Sequence, residues 1–301
     1  MIFDKNDVLK KDETPYVVYT PYARMWREKL TLNDYKTYKP NLSNLLEVDS
    51  SGIHSLKDIG FEKTTILYSE PELDAQIIDK YDKQRDYPAV QGTSMLGTAL
   101  RFGTISVRKC VAFALEHNQT WLGELIWREF FMQILYHFPH VVNKPFKPKY
   151  EFIEWRIDEE GFQRWCEGKT GYPIVDAGMR ELNQTGYMHN RVRMITASFL
   201  CKHLLIDWKW GEAYFAAKLD DYELSSNNGN WQWVAGTGCD AAPYFRVFSP
   251  SAQTDKFDKN HVYIKRWVPE YRTKQYPEPI VEHKFARERV LAAYAKALNT
   301  D

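Results

Sequence analysis

The chain has 301 residues, enough for one large domain or two, and 15% of them are aromatic, including 10 Trp. Its 40 basic and 40 acidic residues give a net charge of zero. This excludes a protein that attracts nucleic acid through a strongly basic overall charge. Any nucleic-acid binding would have to use a local basic patch. Four Cys without a Cys-x-x-Cys pair, no apolar run of membrane-spanning length and no signal-peptide pattern predict a cytoplasmic protein with free thiols and no membrane contact.

The first part of the chain predicts one strand, one helix and a long connection. Residues 16–20 read YVVYT, a β-branched and aromatic run typical of a strand. Pro21 then fits the first turn of a helix. Residues 31–75 mix polar residues with Gly and Pro, and they predict a connector with short helical pieces near Leu56 and Leu73.

Beyond residue 76 the apolar spacing predicts a domain built of helices alone. The candidate helices are 72–83, 94–102, 106–117, 121–137, 159–167, 174–185, 190–205, 210–219, 252–257, 261–267 and 283–298. Ser106 stands at the start of one of them and is a plausible N-cap. No repeat period stands out, and the fold class predicted from these elements is mainly α.

Residues 221–246, DYELSSNNGNWQWVAGTGCDAAPYFR, combine acids, amides and two Trp in one short stretch. Amides can hydrogen-bond the edge of a planar heterocycle, while aromatic rings stack on its face. Trp231 and Trp233 are two residues apart, so their side chains point in different directions and can line different cavities. The alternative interpretation is a Trp-rich core turn capped by Asn and Gly. The G-x-G-x-x-A letters of residues 236–241 do not indicate a dinucleotide site, because no strand precedes them.

A second polar group, Thr93 and Ser94, follows Gly92 at a predicted helix start. Hydroxyls and free N–H groups at a helix N-terminus bind anions and suit a diphosphate. The alternative interpretation is an ordinary N-cap without a ligand.

Residues 121–131 read WLGELIWREFF and predict a helix with a polar face. Glu124 and Arg128 are four residues apart and share that face, with Trp127 beside them. Two charges among so many apolar residues are costly unless they contact a polar partner. The alternative to a binding site is an ion pair next to a core Trp.

Asn190, Arg193, Met194 and Ala197 are spaced to share one face of a predicted helix. An amide, a guanidinium and a thioether together suit the edge of a flat cofactor, whereas Met alone is ordinary core material. His189, directly before them, is predicted to be structural. No spacing typical of a metal site is present, so no metal is predicted.

These motifs resemble those of the DNA photolyase and cryptochrome family. The resemblance runs from about Tyr16 to Leu291 and is densest between Tyr81 and Phe248. It implies a helical FAD-binding domain of the photolyase/cryptochrome type and a chain truncated at its N-terminal side. The predicted domains are the remnant of an N-terminal α/β antenna-binding domain (1–30), a connector (31–75) and the helical FAD-binding catalytic domain (76–301).

The resemblance also implies roles for individual residues. It places FAD against Tyr81, Thr93, Ser94, Leu96, Trp121, Arg128, Arg193, Asp221, Glu223 and Asn227. It places the damaged DNA bases against Glu124, Trp127, Asn190, Met194 and Trp233. It implies electron transfer from the surface through Trp155, Trp208 and Trp231, and DNA phosphate contacts by Arg191, Arg246 and Lys256. Two positions depart from the family pattern, since Gly97 stands where Ser is common and Glu223 where Asp is common.

Within the family, several residues favour repair of cyclobutane pyrimidine dimers. Asn190 and Met194 stand where enzymes for (6-4) photoproducts resemble one another in a pair of histidines. Met194 and Trp233 also differ from the Gln and Tyr of the DASH-type cryptochromes. Asn227, at the position beside the flavin N5, is the residue typical of photolyases. The chain is therefore similar to class I cyclobutane pyrimidine dimer photolyases.

The resemblance implies light-driven repair, in which excited reduced FAD passes an electron to a dimer flipped out of DNA into a pocket walled by Trp127 and Trp233. Arg193 is expected to pair with Asp221 near the flavin ring. The enzyme is expected to act as a monomer on damaged DNA, with no tightly held antenna pigment. The alternatives are a cryptochrome-type flavin photoreceptor without repair activity and an inert truncated fragment.

Overall fold

The computed structural model describes residues 1–39, 41–47, 52–63 and 70–299. Over these ranges the regular structure is helical, with no strand and one isolated bridge between Leu9 and Pro15, so the mainly α fold is confirmed. The α-helices are α1 (Tyr19–Lys29), α2 (Leu32–Tyr35), α3 (Ala75–Ile78), α4 (Tyr81–Gln84), α5 (Gly97–Phe102), α6 (Val107–His117), α7 (Gln119–His137), α8 (Glu159–Cys166), α9 (Pro173–Thr185), α10 (Asn190–Ser198), α11 (Trp208–Lys218), α12 (Leu224–Ala235), α13 (Pro250–Phe257), α14 (Val262–Trp267) and α15 (His283–Leu298). Short 3₁₀ turns cover Leu42–Asn44, Pro139–Val142 and Pro148–Phe152, and a π-helical turn covers Phe199–Leu204. Within the described ranges, none of the helices is both long and apolar enough to cross a membrane.

The strand predicted for residues 16–20 is wrong, because the second half of that run opens α1. The backbone N–H of Tyr19 donates to the Asp240 carboxylate at 3.1 Å, which places a negative charge at the helix N-terminus. Pro21 lies in the first turn, where its fixed φ suits a helix. A contact with a distant part of the chain thus overrides the β propensity of the run.

Most of the other predicted helices are present with shifted ends. The segment 72–83 is divided into α3 and α4, so the helical piece expected near Leu73 begins beyond that residue. Near Leu56 the chain forms turns and not the expected helix. Ser106 does precede α6, but its hydroxyl makes no capping bond. The helix predicted for 190–205 is α-helical in its first part and continues as the π-helical turn.

The sequence prediction omits α12, which occupies the polar part of the 221–246 stretch. Ser, Asn and Gly have low helix propensity, so the composition favours a loop. Contacts at both ends stabilise the helix. Glu223 accepts the N–H groups of Ser225 at 2.9 Å and Ser226 at 3.0 Å, and Gly236 ends the helix in the left-handed region at a φ of 87°.

Two large hydrophobic cores meet at α12. The first core is built around Trp165 and Trp231 by α8 to α12 and α14, and the second is built around Phe130 by α1, α6 and α7. Where α12 crosses α7, a Cβ added to Gly229 would lie 2.1 Å from the ring of Phe131. A residue without a side chain permits this close approach, and α12 therefore contributes to the contact between the cores.

The N-terminal residues pack on α7 through a buried carboxylate. Glu129 is 2% exposed and accepts hydrogen bonds from the N–H of Ile2 at 2.6 Å, the N–H of Phe3 at 3.0 Å and the indole N–H of Trp26 at 3.0 Å. Burial raises the pKa of this carboxyl, and the hydrogen bonds oppose the shift. This part of the chain therefore shares a core with α6 and α7, while the domain boundaries given above stay a prediction.

A lysine in the π-helical turn is held by carbonyl groups and an aromatic ring. Lys202 is fully buried, and its Nζ donates to the carbonyl of Ala235 at 2.7 Å and to that of Tyr244 at 3.3 Å. The same nitrogen lies 3.8 Å from the ring centroid of Tyr294. Ala235 ends α12, where a positive charge is favourable. Burial lowers the pKa of Lys202 to about 7.

We expect the free energy of unfolding to rise between pH 7 and about pH 10 more steeply in the wild type than in Lys202→Met. The pKa of Lys202 is about 7 in the folded chain and 10.5 without burial, so the unfolded state binds more protons in this window and a higher pH favours folding. Urea unfolding at both ends of the window measures the difference, with the exposed Lys209→Met as the control. The same pH dependence in Lys202→Met and the wild type would contradict the assignment.

Candidate functional site

A cavity with an empty volume of about 560 Å³, partly open to solvent, lies between α10, α11 and α12. Its lining residues are Asn190, Arg193, Met194, Ala197, Phe215, Leu219, Asp221, Tyr222, Glu223, Ser226, Asn227, Asn230, Trp231 and Val234. The four residues predicted to share a face of α10 all belong to this lining, as do four predicted site residues of the 221–246 stretch.

An ion pair connects α10 to the loop before α12. Nη1 and Nη2 of Arg193 donate to the two carboxylate oxygens of Asp221 at 3.1 and 2.9 Å, and its Nε donates to the carbonyl of Met188 at 2.6 Å. The side chains of Arg193 and Asp221 are 24% and 19% exposed. Burial opposes the charge of Arg193, but the neighbouring carboxylate outweighs it and raises the pKa of the guanidinium. The pair expected from the sequence is present at the cavity wall.

Glu223 is the N-cap of α12. In addition to the two backbone N–H groups, its carboxylate accepts the hydroxyls of Ser225 and Ser226. Burial opposes its ionisation, but these hydrogen bonds outweigh burial and lower the pKa of Glu223. A negative charge is thus fixed at the N-terminus of the helix that presents Asn227 to the cavity.

Glu212, on α11, holds the side chain of Asn227 and was missed by sequence reasoning. Nδ2 of Asn227 donates to the Glu212 carbonyl oxygen at 3.0 Å and to Oε1 of its carboxyl at 3.1 Å. Both donor contacts of the amide go to one residue, so the carbonyl oxygen of Asn227 is left for another partner. Burial raises the pKa of Glu212, and the bond from Asn227 opposes the shift. An acidic residue in the apolar segment WKWGEAYF was the available signal.

Thr93 and Ser94 lie before α5 and not at its start, so the helix start predicted there is wrong, and so is the alternative of an ordinary N-cap. The N-cap position is Leu96, and no side chain caps the helix. The physical reason is Met95, whose left-handed φ of 53° interrupts the helical path just before α5.

Tyr187, a second residue that sequence reasoning missed, contacts both Thr93 and the arginine of the ion pair. Burial raises the pKa of Tyr187, and a hydrogen bond with Thr93 opposes the shift. The guanidinium of Arg193 lies 5.7 Å from the centroid of the Tyr187 ring. At the start of α5, a Cβ on Gly97 would lie 2.7 Å from a carboxylate oxygen of Asp221, so a side chain there would displace the carboxylate. The start of α5 is therefore beside the cavity.

Several predicted cofactor residues are not on the cavity wall. The residues absent from its lining are Tyr81, Thr93, Ser94, Leu96, Trp121 and Arg128. Leu96 and Trp121 are 4% and 3% exposed in the second core, against which Tyr81 also packs. The distance of these residues from the cavity depends on tertiary packing, which periodicity and resemblance do not give.

The helical spacing of four residues would indicate an ion pair between Glu124 and Arg128. In the structure Glu124 pairs with Arg85 instead. Nη1 of Arg85 donates to Oε1 of Glu124, and the Arg85 guanidinium lies 5.7 Å from the centroid of the Tyr81 ring. Arg128 donates to the carbonyl of Leu100 at 3.2 Å. Burial raises the pKa of Glu124, and Arg85 opposes the shift. The true partner is 39 residues away in the sequence, so local spacing misses it.

A smaller, narrow pocket lies between α7 and α12, and none of its empty space of about 160 Å³ is wide enough for a water molecule. Its lining residues are Trp127, Phe131, Gly229, Trp233, Gly238, Cys239, Asp240 and Ala241. The structure therefore brings Trp127 and Trp233 together. Asn190 and Met194, the other predicted base contacts, line the larger cavity. The two spaces share α12, which contributes residues to both walls.

The three tryptophans of the predicted relay extend from the cavity outwards. Trp231 lines the cavity and is 2% exposed, as is Trp208. A Cβ added to Gly211 would lie 2.1 Å from the Trp231 indole, so that ring contacts α11 within one turn of Trp208. Trp155 is half-buried, packs against the core that contains both, and meets Tyr294 edge to face at 6.0 Å.

Arg191 and Arg246, two of the three predicted phosphate contacts, differ in accessibility. Arg191 donates to Asp86 at 2.7 Å, its guanidinium lies 4.4 Å from the Phe257 ring centroid, and its side chain is only 18% exposed. Arg246 is exposed, with its guanidinium 5.4 Å from the ring centroid of Phe248. Of the two, Arg246 is the cation free to meet a phosphate.

His189 occupies the N-cap position of α10. Its Nδ1 accepts the backbone N–H of Arg191 at 3.2 Å, and its side chain is 4% exposed. Burial lowers the pKa of His189 to about 4, so the imidazole is neutral near pH 7. The geometry agrees with the structural role predicted for this residue.

The fold and the cavity define a helical cofactor-binding domain, and known proteins with similar sequences show which one it is. Residues 121–275, about half of the chain, match the FAD binding domain of DNA photolyase. The deoxyribodipyrimidine photo-lyase of Escherichia coli is 40% identical over 336 aligned residues, which cover 99% of this chain and 71% of that protein. The photo-lyase of Vibrio cholerae is 47% identical over 247 residues, 73% of this chain and 53% of that protein. The chain belongs to the DNA photolyase family.

A solved structure has the same fold. The bacterial class III photolyase from Agrobacterium tumefaciens superposes with a TM-score of 0.84 at 36% identity, covering 100% of this chain and 72% of that chain. The chain thus spans between 53% and 72% of the length of these three relatives. The family inferred from the motifs is confirmed. The assignment to class I stays a prediction, because a class III photolyase is also similar.

Proposed function

We propose that this chain binds FAD in the cavity between α10, α11 and α12 and uses light to split cyclobutane pyrimidine dimers in DNA. The observation that carries the proposal is the convergence of Arg193, Asp221 and Asn227 on one cavity, while the same helix α12 lines the pocket of Trp127 and Trp233. The similarity to proteins named deoxyribodipyrimidine photo-lyase supports it.

The donor set of the cavity suits a flavin. The Arg193–Asp221 pair and the Asn227 amide offer hydrogen bonds to the polar edge of the ring, and Phe215 and Trp231 supply apolar walls for its faces. Because Glu212 occupies the amide nitrogen of Asn227, the carbonyl oxygen is held ready to accept a hydrogen bond from the ring nitrogen N5. Bound FAD in its fully reduced form supplies the light-excited electron that splits the dimer.

The two tryptophans that line the neighbouring pocket are suited to stack on a base taken out of the DNA stack. An enzyme that acts on a base within a duplex must flip it out, and aromatic side chains stabilise the flipped base by stacking. Trp127 and Trp233 present such faces from two helices. Glu124, on the same helix as Trp127, is the predicted hydrogen-bond partner of the damaged bases, and Arg85 orients its carboxyl group. Arg246 is placed on the surface for a DNA phosphate.

We further infer that the protein repairs DNA as a cytoplasmic monomer and holds no antenna pigment tightly. A cryptochrome-type photoreceptor without repair activity would have no use for a base pocket beside the cofactor cavity. The presence of Trp127 and Trp233 on facing helices therefore favours the repair enzyme over that alternative.

Repair that depends on light is the expected result for the purified protein. Its absorption spectrum should show bound FAD, and after chemical reduction it should remove thymine dimers from an oligonucleotide under blue or near-ultraviolet light but not in the dark. The remaining dimers are counted by chromatography of the digested DNA. Equal loss in light and darkness, or no loss in either, would contradict the proposed function.

Trp208→Phe is expected to slow the light-dependent reduction of oxidised FAD by at least about tenfold. Electrons enter from a solvent reductant through Trp155 and Trp208 and refill Trp231 at the cavity, and phenylalanine is too hard to oxidise to replace the middle member. Repair by chemically reduced enzyme should be unchanged, because the DNA side of the site is untouched. Absorbance under illumination follows the reduction, with Trp267→Phe, a half-buried tryptophan outside the relay, as the control. Photoreduction at the wild-type rate in Trp208→Phe would remove this residue from the relay.

A further inference from the structure

Tyr19, the first residue of α1, lies flat against Trp127. The two ring centroids are 3.6 Å apart and the ring planes differ by 6°. The Tyr19 hydroxyl donates to the carbonyl of Gly123 at 2.8 Å, one turn before Trp127 on α7. The Tyr19 backbone N–H is bound to Asp240. The tyrosine is therefore fixed through its ring, its hydroxyl and its backbone.

This contact covers one face of the Trp127 indole. Tyr19 does not line the 160 Å³ pocket, whereas Trp127 does, so Tyr19 contacts a part of the indole that does not line the pocket. Phe130 meets the same indole edge to face at 5.6 Å, and Phe131 lies at 5.5 Å with a tilt of 30°. The indole is thus packed by rings that restrict its rotation.

Asp240 connects the same tyrosine to the opposite wall of the pocket. Its carboxylate accepts the Tyr19 N–H, and the residue itself lines the pocket beside Trp233. The start of α1 therefore touches both sides of the space in which a flipped base would stack. A binding group whose rotamer is locked by its neighbours loses less conformational entropy when the ligand binds.

We propose that Tyr19 is a positioning residue of the base pocket, which holds the Trp127 indole so that the part lining the pocket meets a flipped-out pyrimidine dimer. This inference rests on the proposed function and extends it to a residue outside the motifs of the flavin site. Tyr19 itself does not touch the dimer. Its contribution is to the preference for damaged over undamaged DNA and not to FAD binding or photoreduction.

The test compares the binding of two duplex oligonucleotides that differ only in one cyclobutane thymine dimer, measured by fluorescence anisotropy. Tyr19→Ala is expected to reduce the preference for the damaged duplex about tenfold, within the range that loss of one base–aromatic stack gives. Tyr19→Leu keeps the bulk without a flat ring and should lose most of the preference too. Tyr19→Phe keeps the stack and should stay within about twofold of the wild type. FAD content should be unchanged in all three variants.

Tyr16→Ala is the matched control, because Tyr16 precedes the same helix and contacts Tyr22, at 6.3 Å between ring centroids, but not the Trp127 ring. An unchanged preference in Tyr19→Ala and Tyr19→Leu, or an equal loss in Tyr16→Ala, would overturn the inference and leave the proposed function standing. If Tyr19→Ala does not fold, as judged by circular dichroism, Tyr19→Leu decides. A wild-type protein without any preference for the damaged duplex would overturn the proposed function, and the inference with it.

Discussion

Asp221→Asn is expected to leave the purified protein with little FAD. The substitution keeps the shape of the side chain and removes the charge that neutralises Arg193, whose side chain is only 24% exposed. An unpaired guanidinium at the cavity wall should lower the free energy of unfolding by about 2 to 3 kcal/mol, below the range for fully buried pairs because both partners keep some contact with water. Loss of one partner of such a pair in a binding site costs about 2 to 5 kcal/mol, so FAD should bind at least about 30-fold more weakly.

The ratio of flavin to protein absorbance after gel filtration measures this loss. Asp220→Asn is the matched control, since Asp220 is the preceding residue, is exposed and does not line the cavity. It should keep the wild-type flavin content. Full FAD occupancy in Asp221→Asn would show that the ion pair does not form the cofactor site.

Trp233→Ala is expected to abolish most repair while FAD remains bound. Trp233 lines the pocket between α7 and α12 but not the 560 Å³ cavity, so its loss removes a wall for the base and spares the cofactor. A base–aromatic stack is worth about 1 to 3 kcal/mol, so the apparent affinity for a dimer-containing oligonucleotide should fall about tenfold or more. Repair yields at low DNA concentration under constant illumination measure the effect.

Trp210→Ala serves as the comparison for the change at Trp233. Trp210 is a half-buried tryptophan on α11 that packs edge to face against Phe162 at 5.1 Å and lines neither space. The Trp210→Ala variant should be less stable than the wild type but should still repair bound DNA. A similar fall in repair for both variants would indicate a general loss of structure, and wild-type repair in Trp233→Ala would contradict the role of this pocket.

Local spacing was enough for features that lie within one helix. The positions of Asn190, Arg193 and Met194 follow from helical geometry, and they do line one cavity. Spacing failed where the partner is distant in sequence. Glu124 pairs with Arg85, 39 residues away, because folding brings Arg85 within reach, while Arg128 donates to the carbonyl of Leu100. Spacing also failed to predict the contact of Glu212 with Asn227, because the two residues lie on different helices, α11 and α12.

Composition was misleading at two helix starts for a related reason. Residues 16–20 have the β-branched pattern of a strand, yet Asp240, 221 residues from Tyr19, captures the free N–H at the start of α1. The 221–246 stretch has the composition of a loop, yet Glu223 and Gly236 cap its helix at both ends. Intrinsic helix or strand propensity contributes little free energy, and helix caps and tertiary contacts outweigh it. The family resemblance identified the residues of this stretch without giving their secondary structure.

The location of FAD in a crystal structure of the purified protein is the most direct test of the account. The prediction is a flavin ring in the cavity between α10, α11 and α12, with N5 within hydrogen-bonding distance of the Asn227 carbonyl oxygen and the polar edge of the ring at the Arg193–Asp221 pair. Density for the cofactor outside that cavity, or a flavin ring that touches none of these three side chains, would contradict it.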